Sequence, residues 1–190
     1  MPIRLNNQVH NNGGYSNYNN QALSRIRYNN QTVWQREITL TNILANEYGK
    51  SRWLDIGYGE GTYENGNFTV TAGHRYFVRA RAYIWGADWD SDWGTTCGTN
   101  VQDRIVTVNG SGADATVNMI ITASSSTLTW SMYDKGRGMT AGGQYVHQSF
   151  VYMVMDITEL ETARGAQMSA SDVWSFIGGQ VFYGNKSFIP

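Results

Sequence analysis

The segment from Tyr76 to Trp85 constrains the fold more than any other part of the chain, because its residues divide into two faces at a spacing of two. One face carries small and branched apolar side chains, namely Val78, Ala80, Ala82 and Ile84. The other carries aromatic and charged side chains, namely Phe77, Arg79, Arg81, Tyr83 and Trp85. This alternation is typical of a half-buried strand in an antiparallel sheet.

Further strand-like runs are separated by glycine and asparagine turns. Thr127–Tyr133 predicts a strand whose inward residues are Leu128, Trp130 and Met132. The long apolar run Tyr145–Ile157 predicts a central strand that is covered on both faces. The chain is therefore expected to be mostly β. We predict an antiparallel β-sandwich, in particular a jelly roll, with one or two short helices and an extended N-terminal arm; a closed barrel is the alternative.

Two pairs of strand-like runs flank short asparagine-containing turns, which favour β-hairpins. The pairs are Arg25–Tyr28 with Thr32–Gln35, and Arg104–Val108 with Ala115–Ile121. Asn29-Asn30 would form the first turn and Asn109-Gly110 the second. Both hairpins are predicted to bring consecutive strands side by side.

The helical signals are short. Ser171–Ile177 begins with an N-cap residue and is followed by Gly178, so it predicts one or two helical turns. A last strand is predicted over Gln180–Tyr183. The segment Thr39–Tyr48 is ambiguous and is compatible with a short helix that stops at Gly49.

Composition sets the broad class. A chain of 190 residues with 41% hydrophobic residues is long enough for one domain with a sizeable core. The net charge is −1 and only 15% of residues are charged, so no binding of nucleic acid is expected. No stretch approaches the roughly 20 apolar residues of a membrane span, so no membrane insertion is expected. Cys97 is the only cysteine, which excludes a disulfide within the chain.

Residues 1–24 are expected to form an extended N-terminal arm that precedes a β-sandwich domain at residues 25–190. Asn6–Asn20 is rich in asparagine, glycine and tyrosine and has few residues that would form a core. Such a segment is either a flexible terminus or an arm that docks on a neighbouring subunit. Met1–Asn7 has no apolar core of a signal peptide, so we expect synthesis in a cytoplasm.

No catalytic residue is predicted. Gly57–Thr62 is rich in glycine but lacks the spacing of a dinucleotide-binding or phosphate-binding loop. There is no Gly-x-Ser-x-Gly elbow, and His10, His74 and His147 form no metal-binding motif. A pairing of Cys97 with one of the histidines in space stays open. We expect the protein not to be an enzyme.

The most distinctive segment runs from Trp85 to Trp93, where three tryptophans and three aspartates occur. Aromatic rings stack on the apolar faces of sugars, and carboxylates accept hydrogen bonds from sugar hydroxyls. The candidate ligand-binding residues are Trp85, Asp88, Trp89, Asp90, Asp92 and Trp93. The alternatives are a solvated connecting loop, rings that pack inward or at a subunit contact, and a pair of glycosidase acids.

The same aspartates are candidate ligands for calcium, which prefers oxygen. Asp88, Asp90 and Asp92 stand at alternate positions, as in the first half of an EF-hand loop. Trp93 replaces the glycine at the sixth position of that loop, and Thr99 replaces the glutamate at the twelfth. Calcium is therefore a possible cofactor of this segment, and no other cofactor is expected.

Two segments resemble parts of tailed-bacteriophage virion proteins. Arg25–Trp34 is similar to a short hairpin of many tail and fibre proteins, with Asn30 where glycine is usual. Tyr152–Leu160 resembles the end of a jelly-roll module in such proteins, where an apolar strand closes on an aspartate and a short helix follows. Ser171–Ile177 would match that helix, and Glu161–Gln167 replaces the usual loop before it.

The resemblance implies a structural virion protein at the tail tip, in a fibre or as capsid decoration, made in the host cytoplasm. It further implies other virion proteins as partners and a homo-oligomer, with a trimer as the first expectation, and a host glycan as a possible ligand. A free carbohydrate-binding module or lectin is the alternative, followed by a glycan depolymerase.

Overall fold

The fold was analysed in a computed structural model. The structure describes residues 37–46, 66–84, 99–101, 112–132 and 148–189 in full, together with the backbone of the further strands named below. Among the described residues, strands predominate, all strand pairs are antiparallel, and two short helices are present. This confirms the predicted mostly-β class.

The first six strands form three separate two-stranded sheets. They are β1 (Ile3–Leu5), β2 (Gln8–His10), β3 (Asn17–Tyr18), β4 (Gln21–Ala22), β5 (Arg25–Tyr28) and β6 (Gln31–Gln35). The pairing of β5 with β6 confirms the first predicted hairpin, with Tyr28 opposite Gln31. The domain boundary after residue 24 and the docking of an N-terminal arm stay predictions.

The remaining strands build two larger sheets. They are β7 (Ile38–Asn42), β8 (Tyr48–Leu54), β9 (Gly61–Thr69), β10 (Arg75–Trp85), β11 (Gly94–Thr99), β12 (Val106–Asn109), β13 (Asp114–Thr122), β14 (Thr127–Lys135), β15 (Tyr145–Asp156) and β16 (Gly184–Phe188). The helices are α1 (Thr158–Arg164) and α2 (Ala170–Phe176).

Strands β8 to β15 pair as a nested set. In a six-stranded sheet the order is β13-β10-β15-β7-β16, with β8 also paired to β15, and in a four-stranded sheet it is β12-β11-β14-β9. The outermost strands β8 and β15 pair with each other, and so do β9 with β14, β10 with β13, and β11 with β12. Successive pairs alternate between the two sheets, which is consistent with a jelly roll. In the described part of the chain, strands β7 to β16 form two sheets rather than one closed barrel.

The inner face of the six-stranded sheet packs on the four-stranded sheet. Val78, Ala80, Ala82 and Ile84 of β10 are fully buried there, as the alternation predicts. They share one core with Leu128 and Trp130 of β14. Leu128, Trp130 and Met132 are each 1% exposed, so the predicted inward residues of this strand are confirmed.

The outer face of the six-stranded sheet is covered at one end by the helices. Phe77, Met153 and Met155 pack there in a second core with residues of α1 and α2. The Phe77 ring stacks on Trp174 of α2 with 6.2 Å between ring centroids. Strand β10 is therefore buried on both faces at this end, and not half-buried throughout.

The predicted central strand, β15, is central, and it is covered on both faces at its C-terminal end, where Met153 and Met155 face the second core and Val154 faces the first. Phe150 and Tyr152 are half-exposed.

The segment predicted as a short helix forms β7 instead. Ile38 and Leu40 point into the second core while Thr39 and Thr41 are exposed, which is a strand alternation. The buried Asn42 side chain explains the choice, because three of its four hydrogen-bond partners lie in distant parts of the chain. Its amide donates to the carbonyl oxygens of Tyr152 and Phe182, and its oxygen accepts from the backbone N–H groups of Leu44 and Val154.

The second predicted hairpin is wrong. Strand β12 pairs with β11, and β13 pairs with β10, so the two strands that flank Asn109-Gly110 belong to different sheets. The turn signal is local, whereas the nested pairing places consecutive strands in alternate sheets at this point.

The C-terminal elements are displaced by a few residues from their predicted positions. Helix α2 is capped by Ser169 and not by Ser171: the Ser169 side chain accepts from the Asp172 N–H, and Asp172 completes a capping box. The last strand is not Gln180–Tyr183 but β16, which begins at Gly184 and pairs with β7. Gly184 has a φ of 68°, a conformation that favours glycine and marks the start of the strand.

Candidate recognition surface

The predicted recognition loop connects the two sheets. Trp85 is the last residue of β10, where it pairs with Val146, and β11 begins at Gly94 in the other sheet. Asp88, Trp89, Asp90, Asp92 and Trp93 lie outside the described residues. Glycan contact and calcium binding by this segment therefore stay predictions. Within the part of the chain that the structure describes, no cluster of three or more His, Cys, Asp or Glu side chains is placed to hold a metal ion.

The strand registers show which strand ends meet near this connection. Trp85 pairs with Val146 and Tyr83 with Asp114, so β10 ends where β13 and β15 begin. Gly94 pairs with Asn109 and with Lys135 in the four-stranded sheet. Connections at the ends of a sandwich are common sites of ligand binding.

The outer face of the six-stranded sheet is only partly covered by the helices. Beyond Phe77, it carries a group of exposed or half-exposed side chains that we call the arginine–aromatic face. Its members are Arg81 and Tyr83 of β10, Asp114 of β13, and Phe150 and Tyr152 of β15. They adjoin the strand ends that lead to the predicted loop.

Arg81 and Asp114 form the centre of this face. The Arg81 Nε and Nη2 atoms donate to the two carboxylate oxygens of Asp114, with a donor–acceptor distance of 2.7 Å in each bond. Arg81 also donates to the Tyr152 hydroxyl, and its guanidinium lies 4.9 Å from the centre of the Tyr83 ring. The hydrogen bonds to Asp114 and Tyr152 raise the pKa of Arg81, and the same bond from Arg81 lowers the pKa of Asp114. Both side chains are therefore charged and held in a fixed orientation.

A β-bulge in β15 puts two aromatic rings on this face. Arg79 pairs with Met153 and Ala80 with Val151, so Tyr152 is the extra residue. A bulge interrupts the strict alternation of side chains and re-aims the residues around it. The Tyr152 ring stacks on Phe150 at a centroid distance of 6.3 Å, beside Arg81.

Arg79 marks the border between the covered and the uncovered parts of the outer face. Its guanidinium lies 4.2 Å from the centre of the Trp174 ring, and its Nη1 donates to Asn118 Oδ1 at a distance of 2.6 Å. Burial against the helix lowers the pKa of Arg79. Arg79 is therefore part of the packing of α2 on the sheet, whereas Arg81 belongs to the exposed surface.

Sequence patterns indicate only half of this arrangement. The alternation in β10 places Arg81 and Tyr83 on one face. It does not reveal that Asp114 lies opposite Tyr83, because that depends on the register of β13. Tyr152 falls within an apolar run that predicts burial, and no local signal marks the bulge. The feature of the sequence that points to Asp114 is a carboxylate at the start of a strand that can pair with β10, from which it can reach Arg81.

A second polar site lies at the opposite end of β10. His74 Nδ1 is 2.6 Å from Asp156 Oδ2, and the other Asp156 oxygen accepts from the Thr158 N–H at the start of α1. These residues line an open cleft of about 410 Å³ together with threonines of β7 and α1. Burial raises the pKa of Asp156, but the hydrogen bonds from His74 and Thr158 outweigh it and hold the pKa below its ordinary value.

Beneath this cleft, Arg75 connects the start of β10 to α1. Its Nη1 lies 3.1 Å from Glu161 Oε1, and the same oxygen accepts from the Met168 N–H. The Arg75 N–H donates to the Thr158 hydroxyl. The contacts of His74, Asp156 and Arg75 therefore tie the helices to the sheet, and we assign this site a structural role.

No protein-family model matches the chain, and no curated protein matches it significantly in sequence. Comparison with solved structures matches the VP2 subviral particle of infectious bursal disease virus. That chain is 11% identical, the match covers 70% of this chain and 36% of that one, and the TM-score is 0.37. A structure of the Gx strain of the same virus matches with 14% identity, 66% and 35% coverage, and a TM-score of 0.34.

The chain spans about a third of the length of these viral proteins. At these TM-scores the likeness carries no argument about fold or function. The function is therefore argued from the residues of this chain. The described residues contain no helix that is long and apolar enough to cross a membrane.

Proposed function

We propose that this chain is a structural virion protein of a tailed bacteriophage, located at the tail tip, in a fibre or on the capsid as decoration. The proposal is supported by the local structure at the hairpin of the first segment of the sequence resemblance and at the strand end of the second. Arg25–Tyr28 and Gln31–Gln35 form a hairpin. Strand β15 ends at Asp156, and the helix that the resemblance matches to Ser171–Ile177 forms as α2, one residue earlier. Helix α1 occupies the interval in which the resemblance implies a loop.

In this proposal the partners are other virion proteins and further copies of the same chain, with a trimer as the first expectation. The low charge and the many tyrosines and tryptophans suit neutral protein interfaces. Symmetric homo-oligomers are the usual arrangement of such subunits. The protein acts by assembly and contact, and catalysis has no part in the proposal.

A free carbohydrate-binding module is the second candidate function. The half-exposed rings of Tyr83, Phe150 and Tyr152 beside a fixed ion pair favour it. The two candidates differ in where the protein is found, because a virion protein remains with the particle and a free lectin does not.

The test is to purify phage particles by density gradient from a culture that produces this protein and to identify their proteins by mass spectrometry. The proposal predicts that the chain copurifies with the particles at a constant copy number, and that sedimentation of the isolated protein shows an oligomer. Its presence in the lysate but not in the particles would contradict the virion role.

A further inference from the structure

We propose that the arginine–aromatic face binds a neutral oligosaccharide. This inference goes beyond the virion role and does not depend on it, because it applies equally to a free lectin. It assigns glycan recognition to a sheet face and not to the loop from Trp85 to Trp93.

The face consists of a row of aromatic side chains on β15 and a row of polar side chains on β13, and the two rows run side by side. Strand β15 contributes the rings of Phe150 and Tyr152. Strand β13 contributes Asp114, Thr116 and Asn118, which lie opposite Tyr83, Arg81 and Arg79 in the register and therefore on the same side of the sheet. Sugar rings present apolar C–H faces and a rim of hydroxyl groups, so they match a surface that offers flat rings beside hydrogen-bonding groups.

The spacing of the rows favours an oligosaccharide. Strand β10 lies between β13 and β15, so the two rows are two strand spacings apart, or about 9.5 Å. A ligand that contacts both rows must therefore be longer than a single sugar ring. Tyr83 of β10 lies between the rows and supplies a third ring.

The electrostatics favour a neutral ligand. The Asp114 carboxylate neutralises the Arg81 guanidinium through two hydrogen bonds, so the centre of the face is an ion pair and not an isolated charge. Each Asp114 oxygen has a second lone-pair site, and the side chain is 45% exposed, so hydroxyl groups can donate to it. The Arg81 fork holds this acceptor in place before the ligand arrives, which lowers the entropic cost of binding.

A docked protein fits this face less well. The cores of protein–protein interfaces are depleted in charged residues, and aspartate is among the residues that occur there least. Here an aspartate of the edge strand β13 is held beside the aromatic rings by its ion pair with Arg81.

The experiment measures binding of the full chain to an array of cello-, malto- and chito-oligosaccharides and bacterial O-antigen repeats, followed by calorimetric titration of the glycans retained. We expect wild-type protein to bind at least one of them. Tyr83→Ala and Asp114→Ala should each weaken that binding about tenfold or more, since each removes a stacking ring or a charged acceptor. Their melting temperatures should stay close to wild type, because both side chains lie on the surface.

Ile189→Ala is the control, because Ile189 is 60% exposed and follows the end of β16 that pairs with Ile38, away from this face. It should bind like wild type. Two results would overturn the inference: no binding of any array glycan by wild-type protein, or binding that is lost in Trp89→Ala and Trp93→Ala but kept in Tyr83→Ala and Asp114→Ala. The virion role is tested separately by the composition of the particles.

Discussion

The indole Nε1 of Trp130 donates a hydrogen bond of 3.3 Å to the hydroxyl of Ser149, and this bond joins the two sheets through their shared core. Both residues are almost completely buried. A tryptophan in a sandwich core adds a large apolar area but brings one N–H that needs an acceptor. Ser149, in the central strand of the opposite sheet, supplies it.

Ser149→Ala should destabilise the protein by about 1–3 kcal/mol, because it leaves the Trp130 N–H buried without this acceptor. The measurement is urea-induced unfolding followed by fluorescence and circular dichroism. In the Trp130→Phe background, which has no indole N–H, the same serine substitution should cost less. Equal costs in both backgrounds would show that this hydrogen bond contributes little.

Asn42→Ala should be among the most damaging single substitutions, at about 3–5 kcal/mol of unfolding free energy. The change deprives four buried backbone groups of their partners in one step. Asn185→Ala is the control, because the Asn185 side chain accepts a hydrogen bond from the exposed Thr41 hydroxyl, and its removal should change stability by less than about 0.5 kcal/mol. Similar unfolding midpoints for the two variants would contradict the central role of Asn42.

Asp156 should contribute to acid sensitivity. Its pKa is held below the ordinary value of 3.8, so its stabilising effect is present above that value and is lost as the pH falls through the lower folded-state pKa. Unfolding free energies measured between pH 7 and pH 2 should therefore fall less steeply at the acidic end for Asp156→Asn than for wild type. Glu37→Gln, which removes an exposed carboxylate just before β7, serves as the control. An unchanged acidic slope in Asp156→Asn would refute this assignment.

Trp89→Ala and Trp93→Ala test the predicted loop. If these rings contact a ligand or another virion protein, adsorption or assembly should fall while the melting temperature barely moves. If they pack into the core, each substitution should cost about 3–5 kcal/mol of stability. A large loss of stability with unchanged binding would make the loop a structural element.

Deletion of residues 1–20 tests the predicted arm. The β core should remain folded by circular dichroism, because both larger sheets begin after this segment. Incorporation into the particle or the oligomer should be impaired. Normal assembly of the shortened protein would remove the arm from the proposal.

The sequence predicts those strands in which every second side chain is buried. β10 and β14 show this alternation, and their inward residues are buried in the structure. Phe77, on the other face of β10, is buried as well because the helices cover it. β15 is recognisable from its length and apolar content. These features are local, so a single segment is enough to indicate them.

Features that depend on distant partners were predicted wrongly or not at all. Asn42 looks like a helix cap in its own segment, but its side chain is satisfied by Val154 and Phe182. Asn109-Gly110 looks like a hairpin turn, but the flanking strands pair with β11 and β10. The arginine–aromatic face requires both the register that brings Asp114 beside Arg81 and the bulge at Tyr152.

The nested pairing has a consequence for the order in which the chain folds during synthesis. β15 pairs with β8, β7 and β10, so the centre of the six-stranded sheet is missing until residue 156 has left the ribosome. Until then β8 and β10 expose unpaired backbone edges, which are sites for aggregation. The pair β11 and β12, by contrast, joins neighbours in the chain and can close early. Premature termination before Tyr145 should therefore yield insoluble fragments, while a slow late step, the insertion of β15, should limit the folding rate of the complete chain.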